Sequence, residues 1–341
     1  METIRIGIVG AGANTTAKHI PGLRAIEGCQ IVSVANRSRE SSERVARELD
    51  IPKTYDTWQE LVAAPDSDAI VIGTWPYLHS RVTLAALAAG KHVLCEARMA
   101  MNAQEAHMMR DAARAHPHLV AQVVPSPMTL RVDATIKRLI AEGYLGDILA
   151  IEVRDGNAFL DREAALHWRQ NFDLSGFNVM SLGIWYEAVM RWVGEATRVL
   201  ASGKTFAHMR KDAGGTMRAV RIPEHLDVIA DMACGAQAHF RVSNVAGLAG
   251  PAEAWLFGSA GTLRFAENRL YGGQRGDTKP AEIAIPDTEA GGWRVEEEFV
   301  NAIRGREAIT HTSFEDGVKY MEFTEAAARS MAFGAAVPLP L

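Results

Sequence analysis

Ile4-Arg5-Ile6-Gly7-Ile8-Val9-Gly10-Ala11-Gly12-Ala13-Asn14-Thr15 is a short apolar run, two glycines one residue apart, and the start of a helical pattern. A strand feeding a glycine turn that opens a helix is the setting a dinucleotide fingerprint requires. Gly10 permits the tight turn, and Gly12 removes the side chain that would hold a pyrophosphate away from the helix N-terminus. The third glycine of the fingerprint is missing and Thr15 stands in its place. A plain strand-to-helix turn fits the same letters. Two glycines in this frame favour a phosphate loop made of Gly10, Gly12, Ala13, Asn14 and Thr15.

The frame itself is set by the rest of the N-terminal half. Apolar runs at Ile4–Val9, Ile31–Ala35, Ala69–Gly73, His92–Cys95 and Leu119–Val123 alternate with helical patterns at Ser41–Leu49, Thr57–Ala63, Ser80–Ala89 and Ala103–Ala115. That rhythm is the signature of βαβ units around a buried parallel sheet, and right-handed crossovers make it a doubly wound Rossmann layer. A helix over about 130–142, ended by Gly143, links this half to the next. Beyond Gly146 the runs lengthen and partly alternate: Ile148–Arg154, Arg198–Ser202, Met217–Ile222, Asp227–Ala233, Gln237–Val245, Ala252–Phe257 and Thr262–Phe265. Few helices separate them, which predicts a large, mostly antiparallel open sheet in an α+β domain. Helices over Trp293–Ile303 and Phe314–Phe333 close the chain. The expected division is a dinucleotide-binding domain over 1–124 and a substrate-binding and oligomerisation domain over 125–341.

Composition narrows the function classes. A length of 341 residues suits two domains with a core each, and 48% hydrophobic with 23% charged residues is ordinary for a globular protein. With 36 Lys and Arg against 41 Asp and Glu, the net charge of −5 gives no cationic surface for nucleic acid. The three cysteines, Cys29, Cys95 and Cys234, are scattered without a CxxC pair, so neither a disulfide framework nor a thiolate metal site is expected. No apolar stretch reaches the roughly 18 residues of a membrane span, and no signal-peptide pattern opens the chain. A cytoplasmic protein with a small-molecule substrate is expected.

The second strand ends in Ala35-Asn36-Arg37-Ser38. A site specific for NAD places an acid here against the ribose diol. Asn36 is uncharged, while Arg37 and Ser38 offer a cation and a hydroxyl suited to a 2′-phosphate, so NADP(H) is favoured and NAD(H) is the alternative. A solvated helix start would use the same two residues without a ligand.

Together with Gly7–Gly12 and Asn36–Ser38, the segments Thr74-Trp75-Pro76-Tyr77-Leu78-His79, Gly90–Glu96, His167-Trp168-Arg169 and Val337–Leu341 resemble the glucose–fructose oxidoreductase/inositol dehydrogenase/MocA family across essentially the whole chain. The resemblance implies a Rossmann domain plus an open-sheet domain, a nicotinamide cofactor contacted also by Thr74, Trp75, Pro76, His79, Glu96, Ala97, Trp168 and Arg169, and a sugar, cyclitol or related substrate. It also implies a homodimer or homotetramer. Typical members carry Glu-Lys-Pro where this chain has Glu96-Ala97-Arg98, and an acid and a histidine where it has Ser181 and Trp185. Three proton-handling positions have therefore changed together. Arg98, which stays protonated and is a poor base, Tyr77, His167 and Tyr186 are the replacement candidates. Asp155, Asn157, Phe177, Ser181 and Trp185 are the expected substrate contacts, with the two aromatic rings suggesting an apolar wall. The leading expectation is an NADP(H)-dependent oxidoreductase. The alternatives are a redox-cycling glycosidase or lyase and a non-catalytic dinucleotide-binding sensor.

Overall fold

The computed structural model describes residues 3–341; Met1 and Glu2, with which the expected first domain opens, lie outside the described residues. The chain forms two compact units, one holding everything up to Pro125 together with Arg294–Val318, the other Ser126–Trp293 and Lys319–Leu341.

In the first unit β1 (Ile4–Val9), β2 (Cys29–Ala35), β3 (Lys53–Thr54), β4 (Ala69–Ile72), β5 (His92–Cys95) and β6 (Ala121–Val123) form one sheet in the order β3-β2-β1-β4-β5-β6. Every neighbouring pair is parallel. The order reverses between β1 and β4, the switch point where such sheets leave a crevice beyond their carboxyl ends. All of β4 is buried, as parallel strands covered on both faces are. The helices start where the sequence supplies caps. Ser38 accepts from Ser41 N–H, Thr57 forms a capping box with Glu60, and Asn102 accepts from Glu105 N–H. The helix read from Ser80 begins earlier, at Pro76, whose fixed φ and missing N–H suit a first helical position.

The glycine turn is followed by a π turn over Thr15–His19 and then a short α-helix, Ile20–Arg24. Pro21 has no N–H to give to the preceding turn, and the wider turn closes instead with Ile20 N–H on the Thr15 carbonyl. Thr15 replaces the third loop glycine because the glycine needed for close packing lies opposite, just past β4. A Cβ on Gly73 would sit 2.0 Å from Thr15 Oγ1 and 2.2 Å from the Gly10 carbonyl oxygen.

A single cut at 124/125 misses the return of residues 294–318 to this unit. Gln122 donates to Glu298 at 2.8 Å and to the His311 carbonyl at 2.6 Å, and Val123 and Thr312 exchange backbone hydrogen bonds. The helix Val295–Ile303 that carries Glu298 belongs here.

In the second unit the linking helix runs Asp133–Ala141, shorter than expected because Leu130–Val132 form a turn. Its strands are β7 (Ile148–Asp155), β8 (Ala196–Lys204), β9 (Met209–Lys211), β10 (Met217–Ala219), β11 (His225–Met232), β12 (Gln237–Ser243), β13 (Glu253–Gly258), β14 (Gly261–Ala266), β15 (Arg269–Gln274), β16 (Ala281–Ile283) and β17 (Val337–Pro338). Nine of them form one mixed sheet, β16-β15-β14-β13-β7-β12-β11-β8-β17, in which only β7 and β12 pair in parallel. The run read as Met217–Ile222 yields only β10, paired with β9 in a separate ribbon whose residues are mostly exposed. β15, which was not among the expected runs, contains Gly272 and Gly273, and glycines inside a strand weaken its pattern.

Period-two alternation buries Ile151, Val153, Leu226, Val228, Phe240 and Val242 on one face, against the helix Leu182–Val193 and the later part of Phe314–Phe333. Tyr186 stacks on Phe323 at 3.7 Å and meets Phe240 edge-on at 6.2 Å. The opposite face presents Leu200 and Ile229, each at 44% exposure.

Candidate functional site

At the switch point of the first sheet the ends of β1, β2 and β4 enclose an open cleft of about 530 Å³. Its floor is the glycine turn. Gly10 has φ of +85°, donates its N–H to the Ala35 carbonyl at 2.8 Å, and would drive a Cβ to 2.6 Å from Thr74 Cγ2. Gly12 is exposed, and a Cβ there would lie 3.3 Å from the Gly73 carbonyl oxygen. The bare backbone of this turn is the cradle that a pyrophosphate fills at a helix start, so the residues fit a dinucleotide.

Asn36 is committed to holding this loop. Its Oδ1 accepts from Ala11 N–H at 2.7 Å, and its Nδ2 donates to the Ser41 carbonyl and hydroxyl oxygens at 3.2 Å. Arg37 and Ser38 therefore carry the chemistry of the rim, with Ser41 beside them and Asp56, Thr57, Trp58 and Gln59 opposite. Arg39 is engaged by Glu43 and Asp56, whereas the exposed Arg37 guanidinium has no ion-pair partner among the described residues. Thr74, Trp75 and Tyr77 line the remaining wall. Ser41 and the Asp56–Gln59 rim were not read from the sequence, because nothing local ties them to the glycine loop.

Several expected contacts stand behind the cleft. His79 is fully buried, its two ring nitrogens 2.9 Å from the Thr74 and Arg98 carbonyl oxygens, and burial lowers its pKa. It ties the loops after β4 and β5 together and does not line the cleft. Pro76 is likewise buried at the first turn of its helix. Arg98 is 3% exposed and part of the interior of the first unit, which corrects its reading as a replacement proton-handling group facing a ligand.

Glu96 sits in a network the sequence did not reveal. Its Oε1 accepts from Asn14 Nδ2 and meets His19 Nε2 at 3.0 Å, while its Oε2 accepts from Ala97 N–H at 3.1 Å. His19 Nδ1 meets Glu296 Oε1 at 2.5 Å from the returning helix. Burial works against a charged His19, but the hydrogen bonds with Glu296 and Glu96 outweigh it and raise the pKa to about 9. Burial also opposes charge on Glu96, yet the His19 hydrogen bond and charge, with Asn14, leave its pKa lowered. An imidazolium between two carboxylates thus anchors the helix that carries the phosphate loop. Glu296 lies 277 residues from His19, and no local pattern links them.

The second unit holds the other expected residues. Trp185 is 1% exposed and meets Phe265 edge-on, so it packs in the core and forms no aromatic wall. Its Nε1–H donates to Asp155 Oδ2 at 2.8 Å, and Ser181 Oγ–H donates to the same oxygen at 2.6 Å. Tyr186 is buried, its hydroxyl accepting from Ala196 N–H at 2.8 Å, and burial pushes its pKa up. It is a core residue and no proton donor to a ligand. Glu187 accepts from Ser126 N–H and pairs with Arg191, which also reaches Asp133. His167 is exposed and caps its own 3-10 turn by accepting from Arg169 N–H at 3.2 Å, and desolvation and the Arg169 charge lower its pKa. The Arg169 guanidinium stacks on Trp168 at 4.3 Å. Asn157 is exposed, and Phe177 lines a separate cavity of about 340 Å³ with Phe172 and Arg221.

Among the described residues no group of three or more His, Cys, Asp or Glu could hold a metal ion, and no helix is long and apolar enough to cross a membrane.

A parallel dinucleotide-type sheet and a large open sheet in one chain define the class, and the family models agree. Residues 4–123 match an oxidoreductase family model with an NAD-binding Rossmann fold, and residues 134–264 match the GFO/IDH/MocA C-terminal domain. The chain belongs to the Gfo/Idh/MocA oxidoreductase family. It is similar to the trans-1,2-dihydrobenzene-1,2-diol dehydrogenase of Sus scrofa, 30% identical over 187 residues, covering 53% of each chain. It is similar also to the 1,5-anhydro-D-fructose reductase of Ensifer adhaerens, 37% identical over 152 residues, 44% of each. The chain spans about half the length of the curated relatives it matches. In fold it is similar to a levoglucosan dehydrogenase solved with NADH and L-sorbose, with a TM-score of 0.87, 20% identity and full coverage of both chains.

Proposed function

We propose that this chain is an oxidoreductase that takes NADP(H) in preference to NAD(H) and acts on a hydroxyl or carbonyl carbon of a cyclic polyol, sugar-like or dihydrodiol substrate. The observation that carries the cofactor choice is the rim at the end of β2. The position that would hold an acid in an NAD site is Asn36, spent on the loop, and next to it stand the Arg37 guanidinium, with no ion-pair partner among the described residues, and the Ser38 hydroxyl. A 2′-phosphate would gain charge-assisted hydrogen bonds there. Gly10 and Gly12 would hold the pyrophosphate. The nicotinamide, when bound, supplies the hydride acceptor or donor.

The relatives' names support the substrate class, since they carry a cyclic diol and an anhydrosugar. The exposed Leu200 and Ile229, paired on one sheet face, support self-association, and sedimentation of wild type against I229K reads it. The test of function is turnover of trans-1,2-dihydrobenzene-1,2-diol, levoglucosan and 1,5-anhydro-D-fructose with each cofactor. NADP(H)-linked turnover of at least one is expected, and none with either cofactor would overturn the enzyme reading.

A further inference from the structure

The turn Thr15–His19 that leaves the phosphate loop ends on a ring held by two acids. His19 is fully buried, with Nε2 3.0 Å from Glu96 Oε1 and Nδ1 2.5 Å from Glu296 Oε1. A neutral imidazole has one N–H, which serves one of these oxygens and leaves a lone pair against the other. Both contacts are satisfied together only in the imidazolium. The network reaches the loop itself: the Glu96 oxygen that meets His19 also accepts from Asn14 Nδ2, and Asn14 stands two residues after Gly12. Glu296 comes from the returning helix and packs on the backbone of Ile20–Arg24, where a Cβ on Gly22 would lie 2.9 Å from its carboxyl carbon. Glu96 and Glu296 are the charges that act on the ring. Around them, Arg98 is buried two residues beyond Glu96 and Lys18 is exposed. Arg24 donates to the Leu49 carbonyl, Arg304 to the Glu27 carbonyl, Arg294 pairs with Glu297 and Glu307, and Glu298 accepts from Gln122 and Thr310. His79 spends both ring nitrogens on carbonyls, and burial keeps it neutral.

We infer that His19 and Glu296 are positioning residues of the dinucleotide site, and that the phosphate loop holds its anion best while His19 carries a proton. The inference rests on the reading of that loop as the pyrophosphate cradle. With the proton in place, the cation offsets the two carboxylates and Glu96 holds Asn14 at the loop. When the proton leaves to solvent, two uncompensated carboxylates stand behind a backbone that must receive a doubly charged pyrophosphate, and one of them faces a lone pair. Cofactor binding and protonation of His19 therefore favour each other, by reciprocal linkage. No bond of the cofactor changes.

The test is the Kd of NADPH and of NADH for the cofactor-free full chain from pH 7 to 10 at constant ionic strength, read by nicotinamide fluorescence, with calorimetry at pH 9 in two buffers of different ionisation heat. Burial opposes the cation, but the hydrogen bonds with Glu296 and Glu96 hold the His19 pKa up at about 9. Linkage to such a group weakens binding by about three- to tenfold between pH 7 and 10. The expected loss is equal for the two cofactors, because the pyrophosphate is common to both, and binding at pH 9 takes up part of a proton. H19Q should give a flat profile and no proton uptake. E296Q keeps an acceptor for Nδ1–H but removes one charge, so its limb should move at least about one pH unit lower; it decides the matter should H19Q fail to fold. R37A should keep the limb. A wild-type change below threefold, a limb retained in H19Q, a limb unmoved in E296Q, or a limb confined to NADPH, which would put the proton at the 2′-phosphate rim, would overturn the inference alone. A wild type that binds neither cofactor at pH 7 would overturn the cradle reading, and the inference with it.

Discussion

Replacing His19 with Gln removes the cation between Glu96 and Glu296. The imidazole is fully buried and its pKa stands at about 9, against an ordinary value near 6.5. A raised pKa means that the folded state binds the proton more tightly than the unfolded chain. The stabilisation is therefore complete below about pH 6.5 and is lost as pH climbs through about 9. At about 1.4 kcal/mol per pH unit this rise is worth about 3 kcal/mol, in line with the roughly 3–5 kcal/mol lost when one member of a buried ion pair is removed. Glu96, whose pKa is lowered, contributes in the opposite sense, above the ordinary carboxylate range and less as the solution is acidified. The network is therefore strongest between about pH 5 and 7. For a unit of this size the loss corresponds to about 6–12 °C in Tm. Melting of cofactor-free wild type and H19Q, compared from pH 6 to 9.5, should show a gap of about 3 kcal/mol at pH 6 that closes as pH rises. A gap of constant size across that range would refute the buried imidazolium.

The geometry sets three further outcomes. R37A should weaken NADPH by about 10- to 100-fold, the worth of a charge-assisted contact of about 1.5–3 kcal/mol, and leave NADH unchanged, as measured by nicotinamide fluorescence. G73A should destabilise the first unit by about 1–3 kcal/mol and abolish dinucleotide binding, because the new methyl meets Thr15 Oγ1 at 2.0 Å and the Gly10 carbonyl at 2.2 Å; T15S, which removes the opposing γ-methyl but keeps the oxygen, should not rescue it. Y186F should cost about 1 kcal/mol in urea unfolding through loss of the bond from Ala196 N–H while leaving kcat/KM within twofold, since the ring is core.

The first sheet was legible because a buried parallel strand writes its burial locally, as an apolar run ended by a turn residue. The glycine turn at Gly10 and Gly12 added direction. The return of residues 294–318 was not legible, since Gln122, Glu298 and Thr312 meet only after folding. The same limit hid His19 and Glu296. At Gly73 the sequence showed a missing third glycine but not that its function had moved across to the facing strand. Trp185 and Tyr186 read as cleft residues because the family resemblance puts Trp185 at the histidine position with Tyr186 beside it, and that match does not say which face of the helix is covered. The structure buries both, and Phe323, which covers Tyr186, is distant in sequence. Ser181 and Trp185 read as losses. Their shared acceptor, Asp155, lies 26 and 30 residues earlier, beyond any spacing rule.

The most direct measurement is a paired titration of the cofactor-free protein with NADPH and NADH at one ionic strength. The Arg37–Ser38 rim predicts NADPH at least tenfold tighter, with the difference erased in R37A. Equal affinities in the wild type, or a preference for NADH, would contradict it.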